Sequence, residues 1–234
     1  MLELTDKRLV SLLWMLKNKS RTWNMSELRR GADAMLGKDS AVYKPTKLPT
    51  MDIALTYAPT FRLVKELEES GLLTKDTKTQ EYWVSKAIDL IRFISSVRPF
   101  KSLKTISYFS PLDFSGTLKM IKQSKQPYAF TIFAGSELYH QYVKTDQVHA
   151  YIKEGDEKKW EKYLLSKKCL KAQKNQANIF LIPTKQQIFF TQAQTIKGFS
   201  TAPLPILLSD LFSFGSLAEE QANFLLEEWL NNKL

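Results

Sequence analysis

Apolar residues recur every three or four positions at the start of the chain. In TDKRLVSLLWMLKNK, Leu9, Leu12, Leu13 and Leu16 share one side of a helix, with Thr5 or Asp6 as its N-cap. RTWNM is short and extended. SELRRGADAML predicts a second helix capped by Ser26. Leu28, Ala32 and Met35 form its inner face; Arg29, Arg30 and Asp33 point outward. The third helix begins near Pro59, whose fixed φ suits a first turn. Phe61, Leu63, Val64 and Leu67 supply its buried face, Thr60, Arg62 and Lys65 its open side, and Gly71 its left-handed exit. Two extended pieces follow. LLTK and EYWVS predict a hairpin through DTKTQ, with Lys75 and Lys78 at its tip. SKAIDLIRFISSV predicts a fourth helix with Ala87, Ile88, Ile91 and Ile94 on one face. Before the third helix lies GKDSAVYKPTKLPTMDIALTYA. A structureless connection of that length is uncommon in a compact domain, so TMDIAL is expected to be a short ordered element.

After Arg98 the pattern changes. SPLDFSGTLKMIKQ predicts a helix with Ser110 as candidate N-cap and Pro111 in the first turn. YAFTIFAGSELYH reads as a strand leading into a helix. VHAYI, ANIFLIPT and QIFFTQ read as three more strands, and EKKWEKYLLSKK as an amphipathic helix with Trp160, Tyr163 and Leu164 inward. PLPILLSDLFSF and LAEEQANFLLEEWL predict two final helices, the last lined by Ala218, Ala222, Leu225 and Trp229. Strands and helices without strict alternation predict an α+β fold rather than a doubly wound sheet. The expected domains are 1–97 and 98–234.

Charge adds direction. The net charge of +10 suits a polyanionic partner. From Lys7 to Lys65 there are 12 Lys+Arg against 4 Asp+Glu, and all seven arginines lie between Arg8 and Arg98. Arginine suits bidentate contact with phosphate or guanine. The 17 lysines after Arg98 are dispersed and read as a solvated surface. The lone Cys169 makes no internal disulfide, and with no apolar leader or membrane-length segment a reducing, cytoplasmic setting is expected.

Helix, short strand, helix, helix, hairpin is the order of a winged helix-turn-helix. LVKELEESGLL is similar to the end of the recognition helix in many winged-helix repressors; that resemblance covers about residues 5–97. The second half, in YFSPLDF, PYAFTIFAGSELYHQYV, VHAYI, ANIFLIPTKQQIFF and TAPLPILLSDLFSFGSLAEEQANFLLE, resembles the C-terminal domain of AbiEi-type antitoxins of type IV toxin–antitoxin systems. Ile132 and Gly135 depart from the family's usual Gly and Ala or Ser. The resemblance implies a DNA-binding regulator that represses its own operon. The resemblance also implies that such a regulator opposes a nucleotidyltransferase-like toxin without a stable complex. The DNA-facing residues are then expected to be Thr60 and Arg62 at base edges or phosphates, with Lys65 on the backbone. Lys75 and Lys78 on the wing would reach a neighbouring groove or phosphate. Arg29, Arg30, Lys38, Lys44 and Lys47 would hold the sugar–phosphate rail.

Other chemistry is poorly supported. Gly135-Ser136 followed by Asp146 has the spacing of a nucleotidyltransferase motif, but Val148 stands where the second carboxylate belongs, so no two-metal site forms. His140 and His149 have neither zinc-ligand spacing nor a second cysteine, and His149 on an alternating strand is expected at the surface or partly packed. No glycine-rich phosphate loop or nucleophile elbow occurs, so no cofactor, metal or enzymatic activity is expected. IFF and YAF read as core strands rather than RNA-stacking platforms, and LAEEQANFLLEEWLNN as a solvated acidic face. A protein-interaction module gripping a toxin or other partner, a degenerate nucleotidyltransferase-like enzyme, and a homodimer are the alternatives to consider beside DNA binding.

Overall fold

The computed structural model describes residues 5–36, 57–140, 142–143 and 145–231 of the 234-residue chain. The fold is α+β, in two compact units, Met1–Val97 and Arg98–Leu234.

The first unit contains α1 (Asp6–Lys17), α2 (Met25–Leu36), α3 (Tyr57–Glu69), β1 (Leu73–Lys75), β2 (Tyr82–Val84) and α4 (Ala87–Val97). This is the order of a winged helix-turn-helix. Thr5 caps α1, its hydroxyl accepting the Arg8 N–H at 3.4 Å. Ser26 does not cap α2. Asn24 does: its Oδ1 accepts the N–H groups of Ser26 and Glu27, both at 3.0 Å, and Glu27 Oε2 accepts the Asn24 N–H at 2.9 Å. This reciprocal pair satisfies N–H groups the helix leaves open, and it places Ser26 inside the first turn. The inner face is accordingly Leu28, Ala32 and Leu36, with Met35 only partly covered. A Cβ at Gly31 would collide with the Trp14 indole, so glycine permits the close approach of α1 and α2.

Trp23 joins the hairpin by an antiparallel bridge to Tyr82, with N–H···O distances of 2.9 and 2.8 Å. Its buried ring stacks on Tyr82 at 5.5 Å and meets Trp14 edge-on at 5.7 Å. The wing is thereby fastened to the helical core through aromatic contact. Gly71 leaves α3 at φ +71°, as its position required. On α4, Leu90, Ile91 and Ile94 are buried, whereas Ala87 and Ile88 are partly exposed. The connection 37–56, with the expected element at 50–55, lies outside the described residues.

The second unit opens with a 3-10 turn at Phe100–Ser102. It continues through β3 (Ile106–Phe109), α5 (Phe114–Gln123), β4 (Tyr128–Thr131), α6 (Ile132–Tyr139), β5 (Val148–Lys153), α7 (Glu157–Ser166) and β6 (Leu170–Lys171). After these come β7 (Ile179–Thr184), α8 (Ile188–Thr191), β8 (Gln194–Ile196), β9 (Phe199–Thr201), α9 (Leu204–Phe214) and α10 (Ser216–Leu230). The mixed sheet has the order β6-β3-β7-β5-β4-β9-β8. Two expectations are corrected. Asp113, not Ser110, caps α5, accepting the Gly116 N–H at 2.7 Å; Ser110 is buried, with its N–H on Asn178 Oδ1. QIFFTQ is not a strand but the short α8; periodicity cannot separate a short apolar run into strand or helix.

β5 lies at the centre of the sheet, and its burial explains the second unit. Val148, Ala150 and Ile152 face a core with Ile121, Trp160, Leu164, Ile179 and Leu181. Successive side chains point to opposite faces, so His149 and Tyr151 face the other way. That face is covered as well: Phe133 of α6 and Phe214 at the end of α9 both pack on His149. β5 is therefore buried on both sides, and His149 is buried rather than at the surface. Between β4 and α6 the chain turns sharply at Ile132, whose φ of +50° a β-branched residue rarely adopts. Ile132 is fully buried at this turn.

Candidate nucleic-acid interface

α3 carries the candidate contacts. Thr60, Leu63, Val64 and Leu67 form its buried face. Thr60, expected at base edges, is only 3% exposed and is corrected to a core-facing residue. The reason is helical geometry: residues two apart differ by about 200° around the axis, so Thr60 and Arg62 cannot share a face. Arg62 and Lys65 lie on the exposed side. Among the described residues neither makes an ion pair or side-chain hydrogen bond, so both charges are presented to solvent.

Around this face the structure places the other cations unequally. Lys78 is exposed at the hairpin tip, where the Asp76 carboxylate accepts the Lys78 N–H at 2.7 Å and the Thr79 N–H at 3.4 Å. These bonds, that from Lys78 first, hold the Asp76 carboxyl below the usual carboxylate range. They also fix the loop that carries Lys78. Lys75 is half-buried, with its ammonium 5.5 Å above the Tyr82 ring, so the strand and not the tip holds it. Arg30 is exposed, its Nε donating to the Ser26 carbonyl at 3.3 Å. Arg29 is half-buried, its guanidinium 5.6 Å from the Tyr57 ring. Lys38, Lys44 and Lys47 lie outside the described residues.

Sequence reasoning missed Tyr57. It opens α3, is 53% exposed, and stacks on Phe61 at 5.6 Å and 16°. With Arg29 over its ring it makes an aromatic and cationic step between α2 and α3. The signal was the i, i+4 spacing of Tyr57 and Phe61, hidden by starting the helix at Pro59.

No family model, curated protein or solved structure matches this chain.

One arginine counted with the cations does something else. Arg98 is 8% exposed; its guanidinium donates to Asp210 Oδ1 at 2.6 Å and also bonds the Tyr151 hydroxyl. Asp210 Oδ2 accepts from Tyr151 and from Thr131, each at 2.6 Å. The Phe189 ring lies 4.9 Å from the guanidinium. Burial alone would lower the Arg98 pKa, but Tyr151 and Asp210 raise it overall, and the guanidinium stays charged. This network ties the first residue of the second unit, β4, β5 and α9 together.

The residues of the nucleotidyltransferase-like spacing are also placed. Gly135 and Ser136 are buried inside α6; a Cβ at Gly135 would sit 2.9 Å from Leu207 and 3.0 Å from the Phe130 carbonyl. Asp146 is exposed in the loop before β5. Among the described residues no group of three His, Cys, Asp or Glu side chains is arranged to hold a metal ion. No described helix is long and apolar enough to cross a membrane.

Proposed function

We propose that the chain is a DNA-binding transcriptional regulator whose first unit docks α3 in the major groove of a duplex. The observation that carries this reading is the pairing of Arg62 and Lys65 on the solvent face of α3 with Lys78 at the tip of the following hairpin. Exposed cations on a helix and on the wing that follows it are what contact with a groove and its flanking phosphates requires. Arg62 is assigned to a base edge or phosphate, Lys65 and Lys78 to the backbone, and Arg30 to the neighbouring phosphate rail. Arg29 and Lys75 act through the rings they cover. The resemblance of the second unit to AbiEi-type antitoxins extends the proposal. The protein acts in the cytoplasm as autorepressor and antitoxin, opposing a nucleotidyltransferase-like toxin without a stable complex, and needs no cofactor.

The test is binding of the full chain to the duplex upstream of its own gene across a salt series. With about six phosphates neutralised, log K should fall with log salt at a slope of about −5. The Arg62→Ala, Lys65→Ala double variant should lose that affinity while keeping its melting temperature. Equal binding by parent and double variant would sink the assignment of α3. A second reading, a protein-interaction module, is favoured by Tyr142, which is 53% exposed and stacked on Phe224 of α10 at 5.1 Å. Co-purification with a neighbour-encoded protein, without salt-sensitive DNA binding, would favour it instead.

A further inference from the structure

We propose that the second unit binds a small planar aromatic anion in the cavity walled by Phe100, His149, Phe180 and Phe214 and edged by Lys101 and Lys174. The cavity measures about 340 Å³, within the range of small-molecule sites. Its walls come from four separate elements: the turn at Phe100–Ser102, β5, β7 and the end of α9. They are held in place independently of any ligand. The Phe100 N–H donates to Ser213 Oγ at 3.0 Å, and His149 and Phe180 are register partners across β5 and β7.

Three observations point to the ligand class. The wall is aromatic: His149 stacks on Phe180 at 4.7 Å and 12°, with Phe100 and Phe214 edge-on at 5.8 and 5.3 Å. These rings pack on one another, so the wall is a continuous aromatic surface against which a flat ring can rest. The His149 ring is 2% exposed, and among the described residues its buried Nδ1 has no hydrogen-bond partner. A buried polar atom left without a partner destabilises a fold, and such atoms recur at functional sites. Burial lowers the imidazole pKa to about 3, so the ring is neutral and adds no charge to the wall. The charge is supplied elsewhere. Lys101 and Lys174 are exposed at the rim, and Lys174 also lines an adjoining open groove with Lys104 and Lys171. An aromatic interior with cations only at its mouth selects a ring bearing an anionic group at one end. That group is a carboxylate on a compact ligand or a phosphate on a nucleotide.

Calorimetric titration of the full chain with salicylate, adenosine 5′-monophosphate and neutral salicylamide tests this. At least one anion should bind saturably, and salicylamide at least about tenfold more weakly than salicylate. Lys101→Met with Lys174→Met, both at exposed positions that leave the core intact, should weaken anion binding at least about tenfold. Salicylate binding marks a compact ligand. Binding of the nucleotide alone, reduced further by Lys104→Met with Lys171→Met, marks a phosphate reaching into the groove. His149→Phe keeps a ring in the wall but removes its nitrogens, and should weaken binding as well. The proposal is overturned if neither anion saturates, if salicylate saturates and salicylamide binds as well as it does, or if the Lys101, Lys174 variant binds like the parent.

Discussion

Arg62 and Arg98 show how differently the two units handle a positive charge. In the first unit Arg62 sits on the outer side of α3, with no ion pair or side-chain hydrogen bond among the described residues. In the second, Arg98 lies beneath α9 against Asp210, Tyr151 and the ring of Phe189. The covalent chemistry is the same and the surroundings decide the role. A charge in water contributes little to stability and remains available to a partner. A charge taken from water must be matched by other groups, and those groups become part of the fold. Substitutions at the first kind of site should change binding and leave folding alone; at the second they should do the reverse.

Asp210→Ala is expected to have the largest effect. It leaves the Arg98 guanidinium charged without its carboxylate, which typically costs about 3–5 kcal/mol. Denaturant unfolding followed by the amide signals of the second unit should show this, with those of the first unit unmoved. Replacing the pair together, Arg98→Met with Asp210→Leu, should recover most of the loss, since well-packed apolar pairs often substitute for buried ion pairs. A loss under about 1 kcal/mol in the single variant would mean that the network does not hold α9 to the sheet.

His149 tests the same contrast through pH. Its folded pKa is lowered to about 3 from 6.5 by burial. Below pH 6.5 the unfolded chain takes up a proton that the folded chain refuses, so stability is full above that value and falls as pH drops toward 3. The slope is at most about 1.4 kcal/mol per pH unit for one proton. Unfolding measured from pH 7.5 to 5 should show the decline in the parent and its loss in His149→Phe. An identical slope in both would assign it to other groups.

Arg62→Ala is the mirror image. It should weaken operator binding by about 1–3 kcal/mol if the guanidinium reads a base, and relax preference at that position. Thermal unfolding should scarcely move, because an exposed side chain without a partner contributes little to the native state. A lower melting temperature with unchanged affinity would reverse the roles drawn for the two arginines.

The sequence revealed the fold better than the site. Long periodic segments such as Leu9–Leu16 and the hairpin strands around Tyr82 were legible because their apolar spacing fits one period. The strands β3, β6, β8 and β9 were not, being two to four residues long, too short for an alternation to show. His149 escaped because alternation alone does not say whether the second face is also covered; that depends on α6 and α9, distant in the chain. Arg98 escaped for the same reason, since its partner Asp210 comes from α9. Thr60 was different: the helical angle separating it from Arg62 was already contained in the numbering.

Asn24→Ala probes the scaffold beneath the exposed cations. It removes the acceptor for two N–H groups at the start of α2, and should cost about 1 kcal/mol in the first unit. Asn24→Ser should restore most of it. Failure of the rescue would show that the lost stability came from packing around Trp23 and not from the cap.

Lys78→Ala should give the smallest effect and the sharpest distinction. The side chain is exposed, and the loop is set by Asp76 accepting backbone N–H groups, which alanine leaves in place. Stability should therefore hold. If Lys78 touches one phosphate, affinity falls by a similar factor for every duplex, and the salt dependence becomes shallower by about one unit of slope. Lys75→Ala supplies the internal comparison. Its ammonium already lies over Tyr82, so its loss should disturb the strand and leave the salt slope closer to that of the parent. The opposite ranking, with Lys75 altering the slope and Lys78 silent, would place the DNA along the strands of the hairpin instead of at its tip.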